Sequence, residues 1–328
     1  MTRQRSRPVG ELDPELARAA ALRPRVPVSD PFALRREFRR AVQISRTLRA
    51  DVNTAGVEIE DRSVIVQRRR HVVPVRIYRP ADDRVGLPVL VYAHGGAFVA
   101  GDLDTEHDRC LRLAAGGRCA VVSVDYRLPP EHPFPAPFDD CMTVLRWVRR
   151  EGPHLGFDPT RSAVGGSSTG AALAACMAQA VADAGEPRLL LQLLLFPALD
   201  DRLHTGSMRG DPEAAEDSAH MWRHYLGNDP AVRSRPYAVP GRRGDLRGLA
   251  PAYVLVAGAD PLRDEGIDYA RRLLHAGVAA ELHHFPGGFH TFDAAVPGAG
   301  LSQRALRDQT SALRYALQRT PCQITRAN

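Results

Sequence analysis

The amino-acid sequence predicts an α/β fold, in which helices flank a mostly parallel central sheet. Apolar runs of strand length alternate with segments of helical periodicity along most of the 328 residues. Some of these runs, such as residues 88–92 and 120–124, are mainly apolar throughout, which is typical of strands buried on both faces of a parallel sheet. Polar residues directly follow several of the runs, at the sheet edge where proteins of this class bind ligands.

Each element is predicted from its own pattern. Strands are expected at residues 57–60 with 64–66, 72–78, 88–92, 120–124, 163–164, 189–196, 253–257 and 281–285. Helices are expected at residues 14–21, 31–50, 138–150, from a small-residue turn near 170 to about 181, and at 266–275 and 302–318. In the helix over 266–275, the periodicity places Ile267, Ala270, Leu273 and Leu274 on the buried face. The alternation of strand-like and helical segments stops in residues 200–245, which are polar and rich in Gly and Pro. These residues are therefore predicted to be an insertion.

The composition is that of an ordinary globular protein, with 44% hydrophobic and 25% charged residues. No apolar run approaches the ~20 residues of a membrane-spanning helix, and no apolar segment follows the arginine-rich N-terminus. We therefore expect a cytoplasmic protein without an integral membrane segment. The five cysteines lack C-x-x-C spacing, which argues against a metal site or a disulfide framework and favours buried thiols.

The basic residues are all arginines, because the sequence contains no lysine, and the formal net charge is +6. The missing lysine excludes Schiff-base chemistry, a Walker A phosphate-binding lysine and a Ser-Lys dyad. The arginines do not interleave with aromatic residues, which make up only 6% of the sequence. We therefore expect no nucleic-acid partner.

The most informative stretch is the turn from Gly166 to Gly170, which reads Gly-Ser-Ser-Thr-Gly and lies between an apolar run and an Ala-rich helical segment. A serine at the apex of a strand–turn–helix projects its hydroxyl above the sheet, and glycines two residues before and after it avoid collisions with neighbouring backbone. Ser168 meets this G-x-S-x-G requirement, whereas Ser167 does not, because Thr169 stands two residues after it. A dinucleotide-binding loop would need G-x-G-x-x-G spacing, which the turn lacks.

A serine hydroxyl needs a base to accept its proton, and the base needs an acid to orient it. Asp260 follows the strand at 253–257, and His290 follows a double glycine after the last predicted strand. With Ser168 they occur in the chain order serine, acid, histidine, which is one of the known triad orders. Asp200, after the preceding strand, is an alternative acid. Asp264 and Glu265 are expected to be surface or capping charges at a helix start.

A third requirement is a set of N–H groups that stabilise negative charge on the substrate oxygen. Gly95 and Gly96 follow the strand at 88–92, and together with the N–H of Thr169 they are expected to form this oxyanion hole. His94 precedes them. Like the three triad candidates it follows a strand, so all four residues are expected at one sheet edge.

These motifs together resemble those of the hormone-sensitive-lipase-like branch of α/β-hydrolases, the bacterial family IV esterases. The matching blocks are His94-Gly95-Gly96-Ala97-Phe98 with Gly101-Asp102, Asp125-Tyr126-Arg127-Leu128-Pro129-Pro130-Glu131, the serine turn, Asp260-Pro261-Leu262-Arg263-Asp264-Glu265 and Gly288-Phe289-His290. They span residues 88–292. The resemblance implies an α/β-hydrolase fold with esterase activity and no metal or organic cofactor. Because family members often dimerise, it leaves a homodimer open.

The chain departs from the family motifs close to the serine. The family has an aspartate at the position of Ser167, an alanine at Thr169, a third glycine at Ala97 and a glycine at Ala171. Because the triad candidates are unchanged, we expect these departures to affect the range of substrates. The β-branched Thr169 is expected to crowd the oxyanion region and narrow the choice of acyl group.

The resemblance also implies a cap, built from the N-terminal segment and an insertion before the strand of the acid. The expected division is a catalytic core of residues 53–200 and 245–320 and a cap region of residues 1–52 and 201–244. Phe98, together with Trp222 and Tyr225 of the insertion, is expected to line the substrate pocket.

The sequence thus predicts a serine carboxylic-ester hydrolase that acts on small-molecule esters with short to medium acyl groups through an acyl-enzyme intermediate. One alternative is a pathway-specific biosynthetic enzyme on the same scaffold, such as a dehydratase, lactonase, cyclase or amide hydrolase. A second alternative is a non-catalytic binding module, but such modules usually lose a member of the triad.

Overall fold

The fold is built on one eight-stranded sheet, seen in a computed structural model that describes residues 11–22, 26–48, 56–66, 71–81 and 86–318. The strands are β1 (Val57–Val66), β2 (His71–Pro80), β3 (Leu87–Ala93), β4 (Ala120–Val124), β5 (Phe157–Ser167), β6 (Gln192–Leu195), β7 (Ala252–Ala259) and β8 (Ala280–Phe289). Their order across the sheet is β1-β2-β4-β3-β5-β6-β7-β8. β2 pairs antiparallel with both of its neighbours, and all the other pairs are parallel. The predicted mostly parallel sheet is confirmed.

Helices cover both faces of the sheet. They are α1 (Pro14–Leu22), α2 (Pro31–Leu48), α3 (His107–Gly117), α4 (Ala136–Glu151), α5 (Thr169–Asp183), α6 (Gly206–Arg209), α7 (Pro212–Leu226), α8 (Arg263–His275), α9 (Phe292–Ala295) and α10 (Gly300–Gln318). Side chains of α1, α3 and α10 belong to one hydrophobic cluster, and those of α4, α5, α7 and α8 belong to another. In β3 the side chains alternate, so that Val89 and Val91 join one cluster while Leu90 and Tyr92 join the other. This two-sided burial explains why the strand is apolar at almost every position.

Four helices were not predicted, namely α3, α6, α7 and α9, and two of them, α6 and α7, lie inside the predicted insertion. The placement of Leu274 on the buried face of α8 is wrong, because its side chain is 53% exposed while Leu273 is fully buried. One residue corresponds to about 100° of helix rotation, so Leu274 falls beyond the buried face. The last two residues of the helix predicted over 31–50 lie outside the described residues.

The four cysteines in the described residues are buried free thiols, as predicted, and Cys322 lies outside them. Within the described ranges, no helix is long and apolar enough to cross a membrane. Among the same residues, no three or more His, Cys, Asp and Glu side chains are grouped so that they would hold a metal ion.

Candidate active site

Ser168 lies at the apex of a tight turn between β5 and α5. Its backbone has φ 53° and ψ −119°, which is rare for a residue with a side chain, and its amide donates to Leu195 O at 2.8 Å. The flanking glycines permit this approach. A Cβ atom at Gly166 would lie 2.4 Å from the carbonyl carbon of Gly170, and one at Gly170 would lie 2.1 Å from Ala93 O. This is the strand–turn–helix geometry of a nucleophile elbow.

His290 bridges the serine and an aspartate. It follows β8, and its Nε2 lies 3.1 Å from Ser168 Oγ while its Nδ1 lies 2.8 Å from Asp260 Oδ2. Asp260 follows β7, is almost fully buried and accepts a second hydrogen bond from Leu262 N at 3.0 Å. The ring of His290 packs edge-to-face with that of Phe196, with the ring centroids 5.8 Å apart, and 29% of the His290 side chain is exposed. An ionised carboxylate only accepts hydrogen bonds, so Nδ1 carries the imidazole proton and Nε2 is left to accept the proton of the serine.

The alternative acid, Asp200, faces a different partner. Arg202 donates from Nη2 and from Nε to the carboxylate of Asp200 at 2.6–3.0 Å. The structure therefore pairs His290 with Asp260 and not with Asp200.

The expectation of surface charges at the start of α8 is wrong for Glu265. Its side chain is 5% exposed and accepts a hydrogen bond from Leu199 N at 2.9 Å, and burial raises the pKa of Glu265 well above its usual range. Asp264 accepts a hydrogen bond from Ser207 N at 2.7 Å. Glu265 thus fixes the loop after β6 to the start of α8, and Asp264 fixes α6 to it.

The loop after β3, residues 94–101, is called the oxyanion loop below. The amide of Gly95 donates to Glu106 Oε1 at 3.0 Å, so the prediction of Gly95 as an oxyanion-hole donor is wrong. Gly96 has φ 130° and Ala97 has φ 53°, so the chain turns sharply after Gly95. Within the described part of the chain, none of the amides of Gly96, Ala97 and Thr169 donates a hydrogen bond to another protein group. These three amides therefore remain as candidate oxyanion donors at this edge of the sheet.

Thr169 has a second function that the sequence did not reveal. Its side chain is fully buried, and its hydroxyl accepts a hydrogen bond from Phe98 N at 3.1 Å. This contact ties the oxyanion loop to the first residue of α5. The alanine that the family has at this position lacks the hydroxyl needed to make it.

His94 is buried and holds the start of the oxyanion loop through its side-chain contacts. Its ring is fully buried and stacks on Tyr126, with the ring centroids 4.3 Å apart. Its Nδ1 donates to Gly95 O at 2.8 Å, and the Tyr126 hydroxyl donates to His94 O at 2.7 Å. His94 follows a strand as predicted, but its hydrogen bonds and ring contact within the described residues are with Gly95 and Tyr126 and not with Ser168, His290 or Asp260.

The three aromatic residues predicted to line the pocket are packed against one another. The ring of Phe98 stacks on that of Tyr225 at 3.8 Å and lies 5.4 Å from that of Trp222. All three side chains are at most 2% exposed. This burial does not support the prediction that Phe98, Trp222 and Tyr225 line the substrate pocket, which stays a prediction. They form a buried aromatic cluster that joins the oxyanion loop to α7.

A sequence profile described as the alpha/beta hydrolase fold matches residues 90–294. The chain is 40% identical to the esterase LipI of Mycobacterium tuberculosis over 236 residues, covering 69% of this chain and 74% of LipI. It is 36% identical to an ethyl acetate hydrolase of Pseudomonas putida over 236 residues, covering 70% and 74% of the two chains.

Solved structures of esterases share the fold over nearly the whole chain. The esterase LipW of Mycobacterium marinum is 42% identical with a TM-score of 0.84, covering 95% of this chain and 99% of LipW. A bacterial heroin esterase is 36% identical with a TM-score of 0.86, covering 94% and 98%. The chain therefore belongs to the α/β-hydrolase fold family, in the hormone-sensitive-lipase-like branch that its motifs predicted.

Proposed function

We propose that this protein hydrolyses small-molecule carboxylic esters with short to medium acyl groups, and that Ser168 is its nucleophile. The observation that carries the proposal is the hydrogen-bonded chain Asp260–His290–Ser168, with heavy-atom distances of 2.8 and 3.1 Å at a strained elbow. Relatives named as carboxylesterase and ethyl acetate hydrolase support the choice of ester substrates.

In the proposed reaction, Ser168 Oγ forms a bond to the acyl carbon as its proton passes to His290 Nε2. Asp260, hydrogen-bonded to Nδ1, holds the imidazole in the required tautomer and stabilises its positive charge. The carbonyl oxygen becomes an oxyanion, which the amides of Gly96 and Thr169, together with that of Ala97, stabilise. The alcohol leaves with the proton from His290. Water, activated by the same imidazole, then hydrolyses the acyl-enzyme to the carboxylic acid.

We also propose that residues 1–52 and 201–244 form a cap over a core of residues 53–200 and 245–320. Two contacts support this division. Arg35 of α2 donates from Nε to Val99 O of the oxyanion loop at 2.6 Å. Val28 N donates to Asp217 Oδ1 of α7 at 3.2 Å, so the two cap segments contact each other. α1 instead contacts the core, because its Leu16 belongs to a core cluster and Asp13, which directly precedes it, donates from N to Gly287 O at 3.0 Å.

The proposal is tested with p-nitrophenyl esters from acetate through butyrate, hexanoate and decanoate to palmitate. We expect kcat/KM to be highest between acetate and hexanoate and to fall for the longer chains. Ser168→Ala is expected to lower kcat by about 10⁶-fold. Undiminished turnover by folded Ser168→Ala would disprove the role of Ser168. A wild-type protein that hydrolyses none of these esters would favour the biosynthetic or binding alternatives.

A further inference from the structure

A buried polar cluster lies behind the nucleophile elbow, and the proposed reaction does not use it. We name it the Glu106 cluster. It consists of Tyr92, Gly95, Glu106, Arg109, Ser167, Asp293 and Gln309. Glu106 directly precedes α3 at the N-cap position, but its side chain makes no capping hydrogen bond to that helix. Its carboxylate therefore serves another purpose.

The carboxylate of Glu106 receives four hydrogen bonds. Oε1 accepts from Gly95 N at 3.0 Å and from the hydroxyl of Ser167. Oε2 accepts from the hydroxyl of Tyr92 at 2.5 Å and from Arg109 Nε at 2.9 Å. A carboxylate has about four acceptor positions, so all of them are used. The side chain of Glu106 is 11% exposed, which leaves little room for water to replace any of these donors.

The donors come from the segments that carry the proposed chemistry. Gly95 is the second residue of the oxyanion loop and directly precedes Gly96, a proposed oxyanion donor, and Ser167 precedes the proposed nucleophile. Arg109 extends the cluster by donating from both Nη atoms to the carboxylate of Asp293 at 2.8 and 3.0 Å. Asp293 lies three residues after His290 and is fully buried. Glu106 thus connects the oxyanion loop directly to the elbow, and through Arg109 to the segment after the histidine.

We propose that Glu106 is a positioning residue, which holds the amides of the oxyanion loop in place relative to Ser168. Glu106 lies at the start of α3 and supplies a carboxylate beside the elbow. At this position of the elbow the chain has Ser167, whereas the family motif has an aspartate. This inference rests on the proposed function, because it concerns the same oxyanion hole.

The substitution Glu106→Gln separates positioning from simple structural support. An amide has one oxygen and one NH₂ group, so it accepts hydrogen bonds on only one side. The charged Arg109 attracts the oxygen, which leaves the NH₂ group facing Gly95 N–H and the hydroxyl of Ser167. The hydroxyl can rotate to accept, but the Gly95 N–H cannot. The substitution therefore repels the peptide of Gly95 and shifts the amide that follows it.

We expect Glu106→Gln to lower kcat by roughly tenfold to a hundredfold on a good p-nitrophenyl ester while KM changes little, because an oxyanion hole acts mainly in the transition state. The control is Gln192→Leu, which removes a buried hydrogen bond of 2.8 Å to Ala250 O at the start of β6, the strand end opposite the site. We expect this variant to lose thermal stability without losing kcat. An unchanged kcat in Glu106→Gln would overturn the proposal.

A second carboxylate placed at the elbow tests the same idea by rescue. Ser167→Asp alone puts two carboxylates into one buried site, since Ser167 Oγ contacts Glu106 and would lie 3.0 Å from a Cβ atom at Gly95. We expect that variant to lose kcat. In the double variant Ser167→Asp/Glu106→Gln, the introduced aspartate accepts from the NH₂ group of the introduced glutamine and from Gly95 N–H, so kcat should recover at least tenfold over Glu106→Gln. Losses that simply multiply would indicate purely structural support and would overturn the proposal.

If Glu106→Gln does not fold, Glu106→Asp decides the question. The shorter side chain retains the charge beside Arg109 but withdraws the carboxylate from Gly95. A kcat lowered at least severalfold with unchanged KM supports positioning, and an unchanged kcat refutes it. Failure of the proposed function is recognised separately, because the wild-type protein would then hydrolyse no ester in the series.

Discussion

The substitution Asp260→Asn tests how the orientation of His290 depends on a single carboxylate. Asp260 accepts from Leu262 N with Oδ1 and contacts His290 Nδ1 with Oδ2. In the asparagine variant the oxygen stays with Leu262 N–H, because the reverse orientation leaves a buried donor without an acceptor at a cost of about 1–3 kcal/mol. The NH₂ group then faces Nδ1. His290 must carry its proton on Nε2, where it cannot accept a proton from Ser168.

The expected loss in kcat is about 10⁴-fold, which corresponds to about 5.4 kcal/mol at ~1.36 kcal/mol per factor of ten. The assay is the hydrolysis of p-nitrophenyl butyrate at saturating concentration, with thermal unfolding to show that the variant is folded.

The matched control is Asp200→Asn, the other acid that the sequence offered, which pairs with Arg202. We expect it to leave kcat essentially unchanged. Full activity in Asp260→Asn together with a large loss in Asp200→Asn would refute the assignment of the acid.

Three further predictions concern stability. Thr169→Val removes the acceptor of the buried Phe98 N–H and should lower the free energy of unfolding by about 1–3 kcal/mol in urea denaturation. Thr169→Ser keeps the hydroxyl and should retain the wild-type stability, so equal stability of the two variants would contradict this role of Thr169. Tyr225→Ala should cost about 3–5 kcal/mol of unfolding free energy, because its ring is buried against Phe98, and a change in KM without loss of stability would instead indicate an open pocket. The hydrogen bonds from Arg35 lower the pKa of Glu131 from 4.5 to about 2, so its contribution to stability is present above pH 4.5 and is lost as the pH falls toward 2. The difference in melting temperature between wild type and Glu131→Gln should therefore shrink over that range, and a difference that grows on acidification would be inconsistent with the ion pair.

The positions of the triad candidates could be predicted because a parallel sheet brings the ends of its strands to one edge. Ser168, Asp260 and His290 each follow a strand that the apolar pattern located, so their proximity required no knowledge of loop conformation. The alternation of apolar runs with helical segments predicted the layered fold for the same reason.

The direction of an amide could not be predicted in this way. Whether Gly95 N–H points toward a substrate depends on the dihedral angles of the following residues and on Glu106, which is 11 residues further along the chain. Glycine at a position indicates only that the backbone is free to turn. The burial of Glu265 was missed for a related reason, since its partner, Leu199 N, comes from a distant loop.

The helix α7 was missed although its start carries a recognisable signal. Asp211 accepts a hydrogen bond from Ala214 N at 3.1 Å and is followed by a proline at the first helical position. The polar composition of the surrounding insertion obscured this pattern. The aromatic residues of α7 were predicted to line the substrate pocket, but their residue type did not show whether they face solvent, a substrate or one another.

The most direct test of the central claim is fluorophosphonate labelling followed by intact-mass measurement on wild type and Ser168→Ala. The hydrogen-bonded chain at the elbow predicts one stoichiometric adduct on the wild-type protein and none on the variant. An adduct of equal yield on folded Ser168→Ala, or no adduct on folded wild type, would contradict the claim that His290 activates Ser168 as a nucleophile.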